Sequence, residues 1–254
     1  MKNITDRCSE CFHIKISGFF FILLMTTGIM NGAAQSILTI YSDAGKNIVS
    51  NDLYIRSAFL ESYEFGNYEL KAGIQTNLIN GNNITLSGYR IDGSRKFGIK
   101  NTLLELNGFW LWTSSSKILQ ETNYGCYIAV KRKHFDMQIG TNFRTYGFRR
   151  KAIENGEFGS NATKIHENFN LMYSFGYNLK PNYHRWNVGF TLTNIDNFLI
   201  NQETNPYTNL KGYYKVSSHI RLFAEAWYKT AGALNMNLNY FGFLIRGGIV
   251  WNFD

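Results

Sequence analysis

The chain has 254 residues, 44% of them hydrophobic, 16% aromatic and only 17% charged, with a formal net charge of +8. The aromatic content excludes a disordered chain, and three cysteines are too few for a disulfide scaffold. No apolar run beyond residue 35 approaches the ~20 residues a spanning helix needs, which excludes a polytopic helical membrane protein.

Residues 1–34 read as a secretory signal peptide. Lys2, Arg7 and Lys15 precede an apolar stretch over 16–30, and Gly32-Ala33-Ala34 forms a small-residue exit before Gln35. Cys8 and Cys11 make a C-x-x-C pair, but it lies ahead of the apolar stretch and is expected to leave with it, so Cys126 is the one cysteine of the rest. Residues 35–254 then form one domain.

From there the chain alternates apolar and polar residues with period two, the signature of strands. The run over 37–42 is weak, and 52–64 follows it. A strong run over 68–78 sets Tyr68, Leu70, Ala72, Ile74 and Leu78 against Glu69, Lys71, Gly73, Gln75 and Asn77. Weaker runs cover 84–91, 101–112 and 123–132. Strong ones return over 135–146, 169–178 and 186–193. After 207–216 and 219–229, the last run over 241–253 sets Phe241, Phe243, Ile245, Ile249, Trp251 and Phe253 against Leu244, Arg246, Val250 and Asn252. These runs make twelve strands. Short connections (65–67, 92–98, 132–133, 180–183 and 217–218) alternate with longer ones (43–51, 79–83, 113–122, 149–164, 195–206 and 230–238). No period of 3.6 persists.

Alternation alone fits a soluble sandwich, whose apolar faces pack together, and a membrane barrel, whose apolar face meets lipid. Four features favour the barrel: alternating turn lengths, aromatics at strand ends, an even strand count, and an amphipathic last strand. The expected fold class is therefore all-β, a closed antiparallel up-and-down transmembrane β-barrel of about twelve strands in the outer membrane. Closure requires 37–41 to pair with 241–253, because lipid offers no partner to a bare N–H or C=O.

The tail Gly247-Gly248-Ile249-Val250-Trp251-Asn252-Phe253-Asp254 is similar to the C-terminal assembly signal of bacterial outer-membrane proteins, with Phe253 as its aromatic in the penultimate place. The leader ending in Ala34-Gln35 looks like those of Bacteroidota, and the chain resembles small barrels of that group. The resemblance implies that the barrel-assembly machinery reads Trp251 and Phe253, and that outer-membrane lipid and lipopolysaccharide are the partners.

Candidate working residues are charges on the face expected to line the lumen. The cations are Arg56, Lys71, Lys131, Arg144, Lys211, Lys215, Arg221, Lys229 and Arg246; the acids are Glu69, Glu105, Asp136 and Glu225. This excess suggests a narrow lumen favouring small anions, with Lys71, Arg144, Lys211, Arg221, Glu225 and Arg246 as solute contacts. The competing reading is a network of ion pairs bracing the wall. Arg149-Arg150-Lys151 could meet lipopolysaccharide phosphates, and Lys131-Arg132-Lys133 reads as a solvated turn. A lipid-modifying enzyme needs Ser and His in reach of one another. His134, His166, His184 and His219 make no such pattern, nor a zinc-binding pair, so no catalytic residue, metal or cofactor is assigned. Nucleic acid is not an expected partner. The expected function is a narrow channel or a passive surface protein, with a barrel enzyme or a soluble binding sandwich as alternatives; oligomeric state stays open.

Overall fold

The computed structural model describes residues 35–47, 53–79, 86–114, 119–148, 165–180, 185–201, 205–229 and 241–253. The leader, the C-x-x-C pair, Arg149-Arg150-Lys151 and Asp254 lie outside them. The described residues form twelve strands: β1 Gln35–Asn47, β2 Leu53–Phe65, β3 Tyr68–Ile79, β4 Leu86–Ile99, β5 Thr102–Thr113, β6 Leu119–Arg132, β7 Phe135–Phe148, β8 Ile165–Asn178, β9 Trp186–Thr193, β10 Tyr207–Lys215, β11 Ile220–Lys229 and β12 Phe241–Phe253. Each pairs antiparallel with its chain neighbours, and β1 pairs with β12 to close the barrel. The seam runs from Ser36↔Phe253 through Ile40↔Ile249 to Asn47↔Phe241, where closure was expected. No backbone edge is left to face hydrocarbon.

Alternation decides which side each residue takes. Outward stand Leu70, Ile91, Leu106, Ile139, Phe175, Phe190, Leu210, Ile245 and Ile249, all exposed. Inward stand Arg90, Asn123, Asn142, Arg144, Asn187, Asn209 and Arg246, all buried. This inverts the apolar-in rule of a soluble domain and excludes the two-layer sandwich, whose apolar faces would be covered. Cys126 is exposed on the outer face. The outer face ends in aromatics: Phe65 stacks on Tyr68 at 5.7 Å, Trp251 on Phe253 at 4.7 Å, and Phe135 meets Tyr177 edge-on. Amphipathic rings favour such interfaces.

Three two-residue turns join strands at one end, and each begins with a left-handed residue: Gly66 at φ 59°, Lys100 at 53° and Lys133 at 43°. Positive φ matches the twist of the flanking strands. Only Gly66 adopts it without steric cost. Several strands run beyond the bounds read from the sequence, and three of these extensions share a cause. β4 runs on to Ile99 through the 92–98 expected as a connection, β1 reaches Asn47, and β6 begins at Leu119. In each case polar inward residues masked the alternation. Asp43, Asp92, Lys96 and Glu121 therefore belong to the wall.

A side chain would find least room where β6 meets β7. A Cβ on Gly140 would collide with the Cys126 carbonyl oxygen and the Tyr127 backbone, whereas one on Gly93 would meet nothing within 4 Å. Gly140→Val is expected to destabilise the barrel by about 1–3 kcal/mol, and Gly93→Ala to leave it unchanged. Denaturant midpoints of the folded, heat-modifiable band would check both.

Candidate functional site

β9 is eight residues long, and β8 pairs with it only from Ser174↔Thr193 to Asn178↔Gly189. Above that level β8 lacks this partner, and side chains take over. The Asn194 Oδ1 accepts the Tyr173 N–H at 2.8 Å. Its Nδ2 donates to the Leu171 carbonyl at 2.7 Å, and Thr193 Oγ1 donates to the Tyr173 carbonyl at 2.9 Å. The chain then leaves the wall and turns into the lumen.

Residues 194–201 form a small hairpin there. Ile195 bridges Ile200, the Asp196 N–H donates to the Leu199 carbonyl at 2.7 Å, and the Asn201 N–H donates to the Asn194 carbonyl at 2.8 Å. Phe198, Leu199 and Ile200 are buried. Phe198 and Ile200 pack in one cluster with Tyr41, Leu60, Phe109, Leu111, Met172 and Phe223, residues of five strands. An inward apolar patch thus meets an apolar tip. The sequence reading placed 195–206 among the outer loops; its first half lies inside the barrel instead. The signal that could have found it is Phe198-Leu199-Ile200, an apolar triplet in a loop otherwise rich in asparagine.

Three buried arginines from well-separated strands hold this hairpin. Arg246 on β12 donates two hydrogen bonds to the Asp196 carboxylate, at 2.8 and 2.7 Å. Arg90 on β4 donates to the carbonyls of Asp196 at 3.2 Å and Asn197 at 2.7 Å. Arg144 on β7 donates to the Ile200 carbonyl. Each guanidinium is itself neutralised by the wall. Arg246 also meets Asp43 at 3.1 Å and Glu225 at 3.4 Å, Arg90 meets Asp92 at 2.6 Å, and Arg144 meets Glu121 at 3.0 Å. Charge-assisted bonds of this kind are the strong ones. The Tyr41 ring lies 4.2 Å from the Arg246 guanidinium carbon.

The expected solute contacts divide. Arg144 and Arg246 are buried in the clasp, and Glu225 is buried between Arg246, Lys211 and the Trp227 indole N–H, which donates at 2.8 Å. Lys71 sits 3.9 Å from Asp92. Lys211 lies 2.8 Å from Glu225 and over the Phe223 ring. Arg221 lies over Tyr213. Arg90 and Asp196 were missed, because one sits on a weakly alternating strand and the other in a presumed outer loop. The inward charge is nearer balance than the sequence reading held, since Asp43, Glu64, Asp92, Glu121 and Asp196 join the acids while Arg90 and Lys96 join the cations. Asp43, Glu64, Glu69, Asp92, Glu105, Glu121, Asp196 and Glu225 all have a cation within ion-pair distance. The His134 Nδ1 lies 2.8 Å from the Asn178 carbonyl oxygen. Among the described residues no metal-binding cluster of His, Cys, Asp or Glu occurs.

Closed wall, apolar exterior and polar interior define a porin-like β-barrel of the outer membrane. Solved structures share the fold. The KdgM porin in complex with disordered oligogalacturonate aligns at a TM-score of 0.51 with 14% identity, over 86% of this chain and 99% of its own. The NanC porin aligns at 0.50 with 11% identity, over 85% of this chain and 98% of its own. No protein-family model and no curated protein matches the sequence.

Burial works against the Asp196 carboxylate, but Arg246 beside it prevails and holds the group below the usual carboxylate range. The clasp therefore contributes in full at neutral pH. Its contribution fades as pH falls through that depressed value. Asp196→Asn is expected to speed amide exchange at positions 196 and 201 by about tenfold or more, as loss of a charged hydrogen bond implies. Arg246→Met leaves three carboxylates facing one another and is expected to cost about 3–5 kcal/mol in overall stability. Residue-resolved hydrogen exchange and denaturant unfolding would check these.

Proposed function

We propose that the barrel is a narrow channel for small anionic solutes, with the clasped hairpin setting its width. The observation that carries the reading is an asymmetry of exposure within the lumen's ion pairs. Lys131 is 38% exposed where its partner Glu105 is 9% exposed, and Lys211 is 48% exposed where Glu225 is 5% exposed. Lys71 is likewise more open than Asp92. Each carboxylate lies against the wall and each ammonium faces the water. A solute passing near such a pair meets the cation first, so the local field favours anions although the formal charges nearly balance.

Arg221 adds to this field. It stacks on Tyr213 and has no carboxylate partner among the described residues. Lys71, Lys211 and Arg221 are the solute contacts in this reading. Arg144, Arg246 and Glu225 act through the hairpin's position. The fold shared with the KdgM and NanC porins supports a conducting barrel. Trp251 and Phe253 stack outward on the seam strand, which supports their reading by the assembly machinery. The Bacteroidota assignment rests on the leader ending in Ala34-Gln35 and on the chain's resemblance to small barrels of that group. The packing of Phe198 and Ile200 across the lumen favours a second reading, a plugged surface barrel that conducts only when the hairpin withdraws.

Planar-bilayer recordings decide between them. Purified full chain is expected to show small conductance steps with an anion-selective reversal potential. The double variant Lys131→Gln, Lys211→Gln is expected to lose that selectivity while keeping its conductance. Silence in the unmodified chain together with conduction in Asp196→Asn would favour the plug, and cation selectivity would remove the anionic reading.

A further inference from the structure

The outer face at the short-turn end carries cations that the lumen does not use. Lys180 and Arg185 flank the start of β9. The Lys180 ammonium stands 3.3 Å from the Trp186 ring centroid, and the Arg185 guanidinium carbon 5.1 Å from that of Tyr214. Trp186 and Tyr214 are direct cross-strand partners, and both are exposed on the lipid side. The two cations therefore top one continuous aromatic patch.

The backbone beneath them is fixed. Asn187 points inward and clamps Lys180, accepting its N–H at 2.8 Å and donating to its carbonyl at 2.9 Å. The Arg185 carbonyl accepts the Lys215 N–H at 2.7 Å. Cations held in place lose less entropy on binding. Neither has an ion-pair partner among the described residues. The contrast is with Lys96, which points inward and is held by Glu64 at 2.7 Å and Glu69 at 2.9 Å. At the long-loop end the outward pair Tyr89–Trp112 packs ring against ring, with no cation over it among the described residues.

We propose that Lys180 and Arg185, seated on Trp186 and Tyr214, form a binding site for the phosphate of an anionic phospholipid headgroup. Interfacial rings sit at headgroup depth, so cations capping them reach the phosphate layer. The acyl chains then lie along the apolar face below, beside Phe190 and Leu210, which are exposed on the same two strands. This seat suits a lipid rather than free phosphate, which has nothing to place on that face. The site is independent of conduction.

The test uses the full chain in detergent micelles. Phosphatidylglycerol and phosphatidylcholine are titrated in turn and bound lipid is counted by native mass spectrometry. Phosphatidylglycerol is expected to bind the more tightly. The double variant K180Q/R185Q is expected to lose roughly tenfold or more of that affinity, since each cation near an anionic headgroup matters by about a factor of five. The charge-keeping K180R/R185K should retain it. Heat-modifiable migration checks folding, and should the double variant fail, the single variants are read in its place. Equal binding of the two lipids, or undiminished binding by K180Q/R185Q, would overturn the proposal. Displacement of phosphatidylglycerol by inorganic phosphate at matched concentration would overturn it too, by showing a phosphate site indifferent to acyl chains.

Discussion

In hydrocarbon an amide group has no partner but another amide. That constraint organises this molecule. It forces each strand to find a neighbour on both sides, so the first strand must meet the last, and the Ser36↔Phe253 to Asn47↔Phe241 seam is the consequence. Once the wall is closed, polarity is inverted relative to a soluble domain. Aliphatic and aromatic side chains face out, and arginine, asparagine and carboxylate face in.

An interior of that kind must satisfy itself. Charges taken out of water are costly unless paired and fully hydrogen-bonded, and the lumen answers with networks that cross strands. Arg246 alone touches groups on β1, β11 and the inward hairpin. The hairpin follows from the same accounting. Where β9 stops short, the Tyr173 N–H and the Leu171 carbonyl need partners, and Asn194 supplies them by leaving the wall. The carbonyls of the inward chain then need donors, and Arg90 and Arg144 provide them. A short strand, an inward loop and three buried arginines are thus linked parts of one solution.

The sequence made the wall legible, because period-two alternation is a local signal. Strand 186–193 has the bounds read from alternation, and the pairing of the first strand with the last was implied by the chemistry of lipid. What stayed hidden was non-local. The 92–98 segment holds Asp92, Ser94, Arg95 and Lys96, and reads as a polar turn until one sees that Lys96 faces Glu64 and Glu69 across two strands. Asp196 sits in a stretch that resembles any polar loop. Its partner Arg246 is fifty residues away, and nothing in spacing joins them. Of the cations picked from alternation, Arg56, Lys71, Lys131, Arg144, Lys211 and Arg246 each lie within ion-pair distance of an inward carboxylate. Their pairing, which decides their role, was not readable, because it depends on which strand ends leave carbonyls and carboxylates at the same height.

Formal charge counts mislead in such a lumen. A carboxylate pressed against the wall, half-covered by its own ammonium partner, projects less field into the water than the ammonium does, because the solvent-facing end of the dipole is positive. Lys131–Glu105 and Lys211–Glu225 are both arranged this way. The same pair can therefore brace two strands and tilt the potential of the lumen. Bracing and the proposed selectivity compete only if the cation must choose between its carboxylate and a solute. With several donors on each ammonium, it need not. The deeply buried arginines have no such freedom: Arg144 and Arg246 spend their donors on the wall and the hairpin, and so fix the shape of the lumen.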